Sequence, residues 1–370
     1  MSRQRAEPEV VEMGARRTPG NGTKKKLVRR AKPDRSQRIR RAVQWGFAAL
    51  NLWIGLQFYF WVRGYEQGGH AAVSRPPGVE GYLPIAGLMN LKYWLLTGHV
   101  PAIHPAAMFL LLAFLLISVL MKKAFCSWLC PVGTVSEMLW KLGRRLFGRS
   151  VRVPRGVDVG LRSLKYVLLG FFGAVIGFMS VEALADFMGT PYGLIADVKM
   201  LNFFRTIGTT GIVVLVALAA LSVVIENFWC RYLCPYGALM GLVSLLSPLK
   251  IRRDAEACID CGKCAKACPS HVAVDELVRI RTVECSACLA CVAACPVENA
   301  LQLALPPRKG SGVERWRGRV ASPATVAAMI ACLFVGIVSF ARVTGHWKTN
   351  LPQEIYSHLV AHANEVTHPM

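Results

Sequence analysis

Two runs of four cysteines, each closed by Cys-Pro, have the residue types and spacing best suited to chemistry in this chain. Both read Cys-x2-Cys-x2-Cys-x3-Cys-Pro, a spacing in which three thiolates of one run bind one 4Fe-4S cluster while the fourth reaches a second cluster. Two clusters are therefore predicted. The first is assigned to Cys258, Cys261, Cys264 and Cys295, and the second to Cys285, Cys288, Cys291 and Cys268.

Structural zinc is the alternative interpretation of these two runs. Zinc sites usually pair two short cysteine knuckles across a longer loop, and a doubled run of four cysteines does not have that pattern. Small residues such as Gly262, Ala265 and Ala294 lie between the thiols, where they allow backbone amides to approach cluster sulfurs. The spacing therefore favours iron–sulfur clusters over zinc.

Two further cysteine pairs repeat each other earlier in the chain. Cys126 and Cys130 form one Cys-x3-Cys-Pro motif, and Cys230 and Cys234 form the other. An i, i+4 spacing places both sulfurs of a pair on one face of a helix, and a twofold axis along the membrane normal would bring all four together. Three interpretations stay open: a third metal or iron–sulfur site, redox-active dithiol pairs, or cysteines with only a packing role. The last cysteine, Cys332, is interpreted as a small buried hydrophobic residue.

The composition indicates a membrane protein, since 54% of the 370 residues are hydrophobic and 18% are charged. Stretches long enough to cross about 30 Å of hydrocarbon recur along the chain. The five predicted spans are residues 42–62, 105–121, 164–181, 208–225 and 324–340. The apolar stretch 82–96 contains proline, glycine, asparagine and lysine, which favours a surface or re-entrant segment. We expect a membrane all-α protein of about five transmembrane helices, with two repeated hairpins and a small cytoplasmic α+β domain of ferredoxin-like type.

The positive charge orients the chain. Lys and Arg number 44 against 22 Asp and Glu, giving a net charge of +22, and most of the basic residues fall in segments 1–42, 122–165 and 226–320. The excess of Lys and Arg in cytoplasmic loops predicts a multi-pass protein of the bacterial inner membrane, with the N-terminus and all four cysteine motifs cytoplasmic and the C-terminus periplasmic. Because these charges border the bilayer and are not interleaved with aromatic residues, lipid is the expected partner and nucleic acid is not.

This topology divides the chain into successive segments. They are a basic cytoplasmic tail (1–41), a first transmembrane hairpin with its periplasmic loop (42–121), the first Cys-x3-Cys-Pro segment (122–163), a second hairpin (164–225), the second Cys-x3-Cys-Pro segment (226–250), the two 4Fe-4S motifs (251–306), a basic linker (307–323), a fifth helix (324–340) and a periplasmic tail (341–370).

Five stretches of the sequence resemble the polyferredoxin-type membrane iron–sulfur proteins that include NapH, the C-terminal half of NosR, and CcoG. They are EGYLPIAGLMNLK (80–92), KKAFCSWLCPVGT (122–134), DVKML (197–201), WCRYLCPYGALMGLVSLLSP (229–248) and the run 258–269. The resemblance implies an inner-membrane protein that passes electrons through two cytoplasmic 4Fe-4S clusters, in some relatives drawing on the quinol pool.

Three functions are compatible with these motifs. The leading hypothesis is an electron carrier that relays single electrons from a membrane donor such as quinol to a partner redox protein of unknown identity, with no self-contained catalytic site. No haem is expected, since no histidine falls within a predicted span, and no flavin is indicated. Quinol oxidation also requires a proton acceptor near the membrane, and the residues considered to line such a site are Glu182, Asp186, Asp197, Lys199 and Arg205.

The two alternatives use the extra thiols or the clusters differently. Soft thiolates at the Cys-x3-Cys-Pro motifs could bind or reduce copper, with an outer site among the tail histidines. Cluster loss in a redox sensor or assembly anchor could instead change a partner interface. The tail histidines considered are His346, His358, His362 and His368.

Overall fold

The computed structural model describes residues 30, 34–67, 73–148, 151, 153–306, 320–349 and 351–368. Most of the predicted basic tail and of the basic linker therefore lies outside the described residues.

The described chain is mostly helical. In chain order, the first helices are α1 (Ser36–Glu66), a 3-10 helix (Pro77–Tyr82), α2 (Pro84–Thr97), α3 (Pro105–Met121), α4 (Ala124–Trp128), α5 (Pro131–Phe147), α6 (Arg155–Phe178), α7 (Val181–Gly189), α8 (Pro191–Leu194), α9 (Ala196–Arg205) and α10 (Thr209–Val224). There follow a π-helical turn (Trp229–Leu233), α11 (Pro235–Val243), a 3-10 turn (Ser244–Leu246), β1 (Lys250–Arg253), α12 (Lys263–Lys266), α13 (Ala290–Ala294), β2 (Leu301–Ala304), α14 (Pro323–Val343) and α15 (Gln353–Ala361).

Helix α3 lies at the centre of the molecule. Its sequence is apolar on all sides, and residues around its whole circumference are buried, as expected of a helix enclosed by others. It packs against α2, α14 and the first 3-10 helix. Helix α14 runs antiparallel to it, because Phe340 lies 6.3 Å from Phe109 and Phe334 lies 6.2 Å from Phe114 between ring centroids.

Helix α2 falls in the stretch predicted as surface or re-entrant, and its polar residues have structural partners. Asn90 donates hydrogen bonds to the carbonyl oxygens of Ile103 and His104, both at 2.9 Å. The Lys92 ammonium binds three carbonyl oxygens at the end of α6, including that of Met179 at 2.6 Å. A cation at the C-terminus of a helix satisfies carbonyls that have no partner within the helix.

The predicted spans 42–62, 105–121 and 324–340 lie within α1, α3 and α14, while 208–225 exceeds α10 by one residue at each end and 164–181 runs past the end of α6 at Phe178. By length and composition, two helices of the described chain, α6 and α14, can cross a membrane, and a third span arises if α9 and α10, bent by 84°, are counted together. Large apolar side chains are exposed on α1, α6, α10 and α14, where lipid would cover them. The count of five spans stays a prediction. Cys332 is exposed on α14, so its interpretation as a buried residue is wrong, because it lies on an outward-facing side of that helix.

The two Cys-x3-Cys-Pro segments are joined by an exchange of helix contacts. Helix α5, which follows the first motif, packs against α10 of the second hairpin, while α11, which follows the second motif, packs against both α6 of its own hairpin and α3 of the first. Both helices begin with the proline that follows the last cysteine of the motif, the position where proline is best tolerated. Each repeat therefore holds the other one's motif in place.

A small α+β unit carries the two four-cysteine runs. Strands β1 and β2 pair antiparallel, with Ile251 opposite Leu303, and both side chains are buried. The two runs occupy the chain between these strands, so the pairing closes the unit at its ends. Its placement on the cytoplasmic side stays a prediction.

Candidate iron–sulfur centre

The two runs fold with the same backbone geometry around their middle cysteine. Asp260 and Gly262 flank Cys261 with φ of 54° and 67°, and Ala287 and Leu289 flank Cys288 with φ of 49° and 58°. Left-handed backbone is costly for residues other than glycine, so its recurrence at matching positions indicates a functional constraint on both loops. Such turns curl the chain around whatever the thiols bind.

Cys295 lies among thiols of the first run. Burial raises the pKa of Cys264 to about 11, and the nearby Cys258 and Cys295 thiolates add to the increase. Burial also raises the pKa of Cys295, to which Cys258 and Cys261 contribute. The fourth cysteine of the second run is therefore a neighbour of three from the first.

Cys268 lies among thiols of the second run. Burial raises its pKa to about 12, with the Cys288 and Cys285 thiolates adding to the effect. Burial likewise holds the pKa of Cys291 well above its ordinary value, and Cys288, Cys285 and Cys268 are the next contributors. A bound metal would lower these pKa values, because its positive charge favours the thiolate over the thiol.

The first set of thiols (Cys258, Cys261, Cys264 and Cys295) and the second set (Cys285, Cys288, Cys291 and Cys268) differ in exposure. Cys261 of the first set is exposed. A narrow apolar cavity of about 20 Å³ is lined by all four thiols of the second set together with Ile251, Val274 and Ile280. The second set is therefore screened from water, and the first is closer to the surface.

The start of α1 is attached to the second run. Gln37 donates a hydrogen bond to the carbonyl oxygen of Cys288 at 2.9 Å. Arg40 forms a bidentate ion pair with Glu137 of α5, with both N–O distances 2.6 Å. These contacts explain why α1 begins before its apolar segment. Gln37 and Arg40 were not among the predicted site residues, since a basic tail gives no signal for such docking.

The four thiols of the Cys-x3-Cys-Pro motifs come together and are half-buried. Burial raises the pKa of Cys126 to about 12, with Cys130 and Cys234 among the neighbours that contribute. Burial also holds the pKa of Cys230 well above its ordinary value, and Cys130, Cys234 and Cys126 follow as causes. Each thiol therefore has neighbours in both repeats.

Hydrogen bonds attach the first motif to the second ferredoxin-type run. The Ser127 hydroxyl donates to the carbonyl oxygen of Ser286 at 2.6 Å, and the Trp128 indole N–H donates to that of Ala287 at 3.2 Å. A cavity of about 120 Å³ separates the two sites and is lined by Cys126, Cys230, Lys123, Glu284 and Cys288, among others. The four-thiol group is thus adjacent to the second set.

No three His, Cys, Asp or Glu side chains of the described residues are close enough together to hold a single metal ion. Among the predicted outer histidines, the rings of His358 and His362 lie 5.0 Å apart, whereas His368 packs against Tyr192 at 4.7 Å. The structure therefore places two of the four tail histidines side by side.

A larger cavity of about 810 Å³ lies between α1, the 3-10 helix 77–82, α3 and α14. Aromatic and aliphatic side chains line its middle, such as Phe114 and Phe334, and Pro131 lies at the end near the Cys-x3-Cys motif. At the opposite end lie the cationic side chains of Arg75, Arg342 and Lys348.

Trp347 lines this cavity and carries an unsatisfied donor. The residue is 6% exposed, and its indole N–H, which is itself buried, has no acceptor among the described residues. The guanidinium carbon of Arg342 lies 5.9 Å from the centre of the ring. Because a buried donor without an acceptor costs free energy, an acceptor oxygen that reached this N–H would be stabilised. No motif in the sequence pointed to Trp347.

Of the residues considered for the proton-acceptor site, Asp197 forms an ion pair with Arg75, which lines this cavity. The Arg75 guanidinium binds Asp197 at 2.7 Å and Glu80 at 2.8 Å, and the Thr349 hydroxyl donates to Glu80 at 2.9 Å. Arg205 instead pairs with Glu66, at 2.6 Å, in a more exposed contact. For Glu182, Asp186 and Lys199 no part in this network was found within the described chain.

Two family models match the chain. One, described as a 4Fe-4S binding domain, matches twice, over residues 103–150 and 207–254, and each match contains one Cys-x3-Cys-Pro motif. The other, described as a 4Fe-4S dicluster domain, matches residues 250–302 and covers both four-cysteine runs. Together with the apolar helices, these matches define the class: a ferredoxin-type electron transport protein of the membrane with 4Fe-4S domains.

A relative from Escherichia coli strain K12, YccM, whose name describes it as an electron transport protein, is 48% identical over 334 residues, 89% of this chain and 91% of YccM. The chain therefore belongs to the YccM family, within the group that its motifs resemble. The ferredoxin-type protein NapH of the same organism is 28% identical over 56% of this chain and 70% of NapH. The regulatory protein NosR of Pseudomonas aeruginosa is 32% identical over 50% of this chain and 25% of NosR. No solved structure matches the chain.

Proposed function

We propose that this protein relays single electrons through two 4Fe-4S clusters, one held by Cys258, Cys261, Cys264 and Cys295 and the other by Cys285, Cys288, Cys291 and Cys268. The observation that carries the proposal is the crossed position of the two fourth cysteines, Cys295 and Cys268, each among thiols of the other run. When bound, such a cluster accepts and donates one electron. Four thiols in each set are the ligands that it requires.

The surrounding residues tune and protect the clusters. The apolar lining of the second set lowers its exposure to water, which together with hydrogen bonds to sulfur sets the reduction potential. The first set is closer to the surface through Cys261 and lies beside the exposed Lys263 and Lys266. We therefore place the docking face for a redox partner here, with an acidic surface on that partner and a cytoplasmic location.

The electron donor of the proposal is quinol, bound in the large cavity between α1, α3 and α14. A quinol ring carries oxygen atoms and an apolar tail, which fits a largely apolar cavity that Trp347 lines. Arg75, which also lines the cavity, binds the buried Asp197, and that carboxylate is the candidate proton acceptor. The cavity reaches Pro131, next to the four-thiol group and so toward the second set.

The ligand assignment is tested by replacing the fourth cysteine of one run at a time. Because Cys295 is assigned to the cluster of the other run, Cys295→Ser should disturb the same EPR signal as Cys258→Ser in dithionite-reduced protein. Cys268→Ser should disturb the signal that Cys285→Ser also disturbs. Cys332→Ser, in α14 and outside both sets, is the matched control and should change neither signal. If Cys295→Ser instead perturbs the signal of its own run, the partition is wrong.

The quinol site is tested with Trp347→Phe, which removes the N–H but keeps an aromatic ring. Anaerobic protein mixed with a reduced short-chain quinol should show cluster reduction that is about tenfold slower in this variant, as expected for one lost hydrogen bond. Reduction by dithionite should be unchanged. Trp45→Phe, at an exposed position of α1, is the control and should behave as the parent protein. Equal rates in all three proteins would place the donor elsewhere.

A further inference from the structure

We infer that Cys126, Cys130, Cys230 and Cys234 together ligate a third iron–sulfur cluster, shared between the two repeats. This site goes beyond the two-cluster function proposed above. Two thiols come from each repeat, and the exchange of α5 and α11 between the repeats brings the four together. The model described as a 4Fe-4S binding domain matches each repeat separately, yet each repeat supplies only two cysteines. Since a 4Fe-4S cluster takes four thiolates, the two matches together account for one cluster.

Backbone amides point at these sulfurs from two helix N-termini. The N–H of Gly237, in the first turn of α11, donates to the sulfur of Cys234 at 3.2 Å. The amides of Gly133 and Val132, in the first turn of α5, do the same for Cys130. Amide donors and the positive end of a helix stabilise negative charge, which a thiolate-ligated cluster carries.

The glycine that follows each motif lies close to the site. A Cβ at residue 133 would collide with the carbonyl oxygen of Cys126, so this position requires glycine. A Cβ at residue 237 would lie at ordinary van der Waals distance, 3.6 Å from the Cys234 sulfur and 3.5 Å from the Lys123 nitrogen. The close approach of the chain beside the thiols therefore depends on glycine in the first repeat only.

Lys123 places positive charge beside the four thiols. Its side chain is 6% exposed and lines the same cavity as Cys126, Cys230 and Glu284. The Glu284 carboxylate acts on Lys123 electrostatically, but it is itself paired with Lys165 at 2.7 Å. One carboxylate therefore serves two buried ammonium groups, which leaves positive charge beside the thiols. Lys123 is positioned to compensate a negatively charged occupant.

The spacing of the thiols favours a cluster over one ion. A single zinc ion bound at 2.3 Å would draw its sulfur ligands to within about 4 Å of one another. No three of these donors in the described chain are gathered as closely as one ion requires. A cubane holds its four thiolates farther apart, at the corners of a larger body. The same holds for the eight ferredoxin-type cysteines, no three of which are gathered for a single ion in the described chain.

The position of the site gives it a role in electron transfer. It lies between the large cavity, which ends at Pro131, and the second ferredoxin-type set, with Cys126 and Cys288 lining the cavity of about 120 Å³. One electron would enter the cluster from a donor on the cavity side and leave to the second set, with no bond made or broken. This order of centres would connect the membrane to the α+β unit.

The test is an iron and sulfide count on the full chain, purified and reconstituted without oxygen. About twelve irons per chain are expected for the parent protein and for Cys332→Ser, and about eight for the double variant Cys126→Ser/Cys230→Ser. The double variant should keep the two EPR signals of the ferredoxin-type sets, which shows that it is folded. Eight irons in the parent protein would overturn the third cluster and leave the proposed function standing. If the parent protein instead holds about four irons and the double variant holds none, the third cluster stands and the proposed two-cluster function fails.

A second measurement does not depend on removing a ligand. Lys123→Met should keep all the irons but lower the midpoint potential of the EPR signal that the double variant lacks, because a positive charge beside the cluster favours its reduced form. The other two midpoint potentials should not move. Equal shifts at all three, or none, would contradict the placement of Lys123 at this cluster. Alkylation of Cys126 or Cys230 in folded, anaerobic parent protein, or zinc found at these thiols, would also overturn the inference.

Discussion

His104 is held in a left-handed backbone conformation, with φ of 50°, at the residue before α3. It is fully buried, and its ring contacts the carbonyl oxygen of Gly193 at 2.9 Å and the Glu80 carboxylate at 3.3 Å. Burial alone would lower the pKa of this imidazole, but the hydrogen bond to Glu80 and the charges of Glu80 and Asp197 raise it overall. The raised pKa favours positive charge on this ring beside the two buried carboxylates that Arg75 also binds.

This network predicts a loss of stability on the alkaline side. Because the folded pKa of His104 is raised, its contribution is complete below an unfolded pKa of about 6.5 and is lost as pH rises through the folded value. Thermal unfolding in detergent from pH 6 to 9 should show a falling midpoint for the parent protein. His104→Asn, chosen because asparagine tolerates left-handed backbone, should show a flatter profile. A parallel decline in both proteins would exclude this residue as the cause.

Glu80 has the opposite dependence. Burial alone would raise its pKa, but Arg75 and His104 lower it to about 2. Its contribution is therefore present above an unfolded pKa of about 4.5 and is lost only as pH falls toward 2. The two groups define a window of highest stability between about pH 4.5 and 6.5 for this part of the molecule.

At the scale of elements, the crossing of α5 and α10 depends on one glycine. A Cβ at residue 143 would collide with the carbonyl oxygen of Val223, so only glycine fits where these helices touch. Their contact is one half of the exchange that joins the two repeats.

Gly143→Ala should therefore destabilise the protein by about 2 kcal/mol or more, since backbone must shift to admit the methyl group. The unfolding midpoint in detergent measures this change. Gly160→Ala, on α6, is the matched control, because nothing lies within 4 Å of its added Cβ. That control should be neutral or slightly stabilising, as alanine is the better helix former. A small effect at residue 143 would show that the two helices can move apart at low cost.

The sequence predicted helices well where the apolar pattern was strong. All five apolar segments are helical, and the proline after each Cys-x3-Cys motif begins a helix as its position indicates. The pattern failed where the determining contacts are long-range. The early start of α1 depends on Gln37 and Arg40 reaching residues far away in the chain, and no local signal encodes that. Cys332 was misassigned because periodicity does not tell which face of α14 is turned outward.

The candidate site divides in the same way. Spacing alone predicted the eight ferredoxin-type cysteines and left the other four thiols with three interpretations. Their gathering depends on an exchange between repeats, which cannot be derived from one sequence. Lys123 was visible as part of KKAFC, but its burial, and its sharing of Glu284 with Lys165, emerge only once the helices are packed. Trp347 gave no signal, because an unpaired indole N–H is a property of its surroundings.

For the whole molecule, the predicted orientation can be tested directly. With the N-terminus inside, a fluorescent reporter joined after residue 306 should fold and emit, whereas alkaline phosphatase at the same point should be inactive. Phosphatase joined after residue 349, beyond α14, should be active. Active phosphatase after residue 306 would place the α+β unit on the outer side, and the cytoplasmic acceptor would then be excluded.

The exposed Cys261 also bears on how the protein behaves in air. In the proposed two-cluster arrangement, molecular oxygen would reach the exposed Cys261 more readily than the apolar cavity around the second set. Aerobic handling should therefore destroy the cluster of the first set before that of the second, so that part of the visible absorbance remains. In a cell that enters an aerated medium, only the centre nearest the surface would then have to be rebuilt.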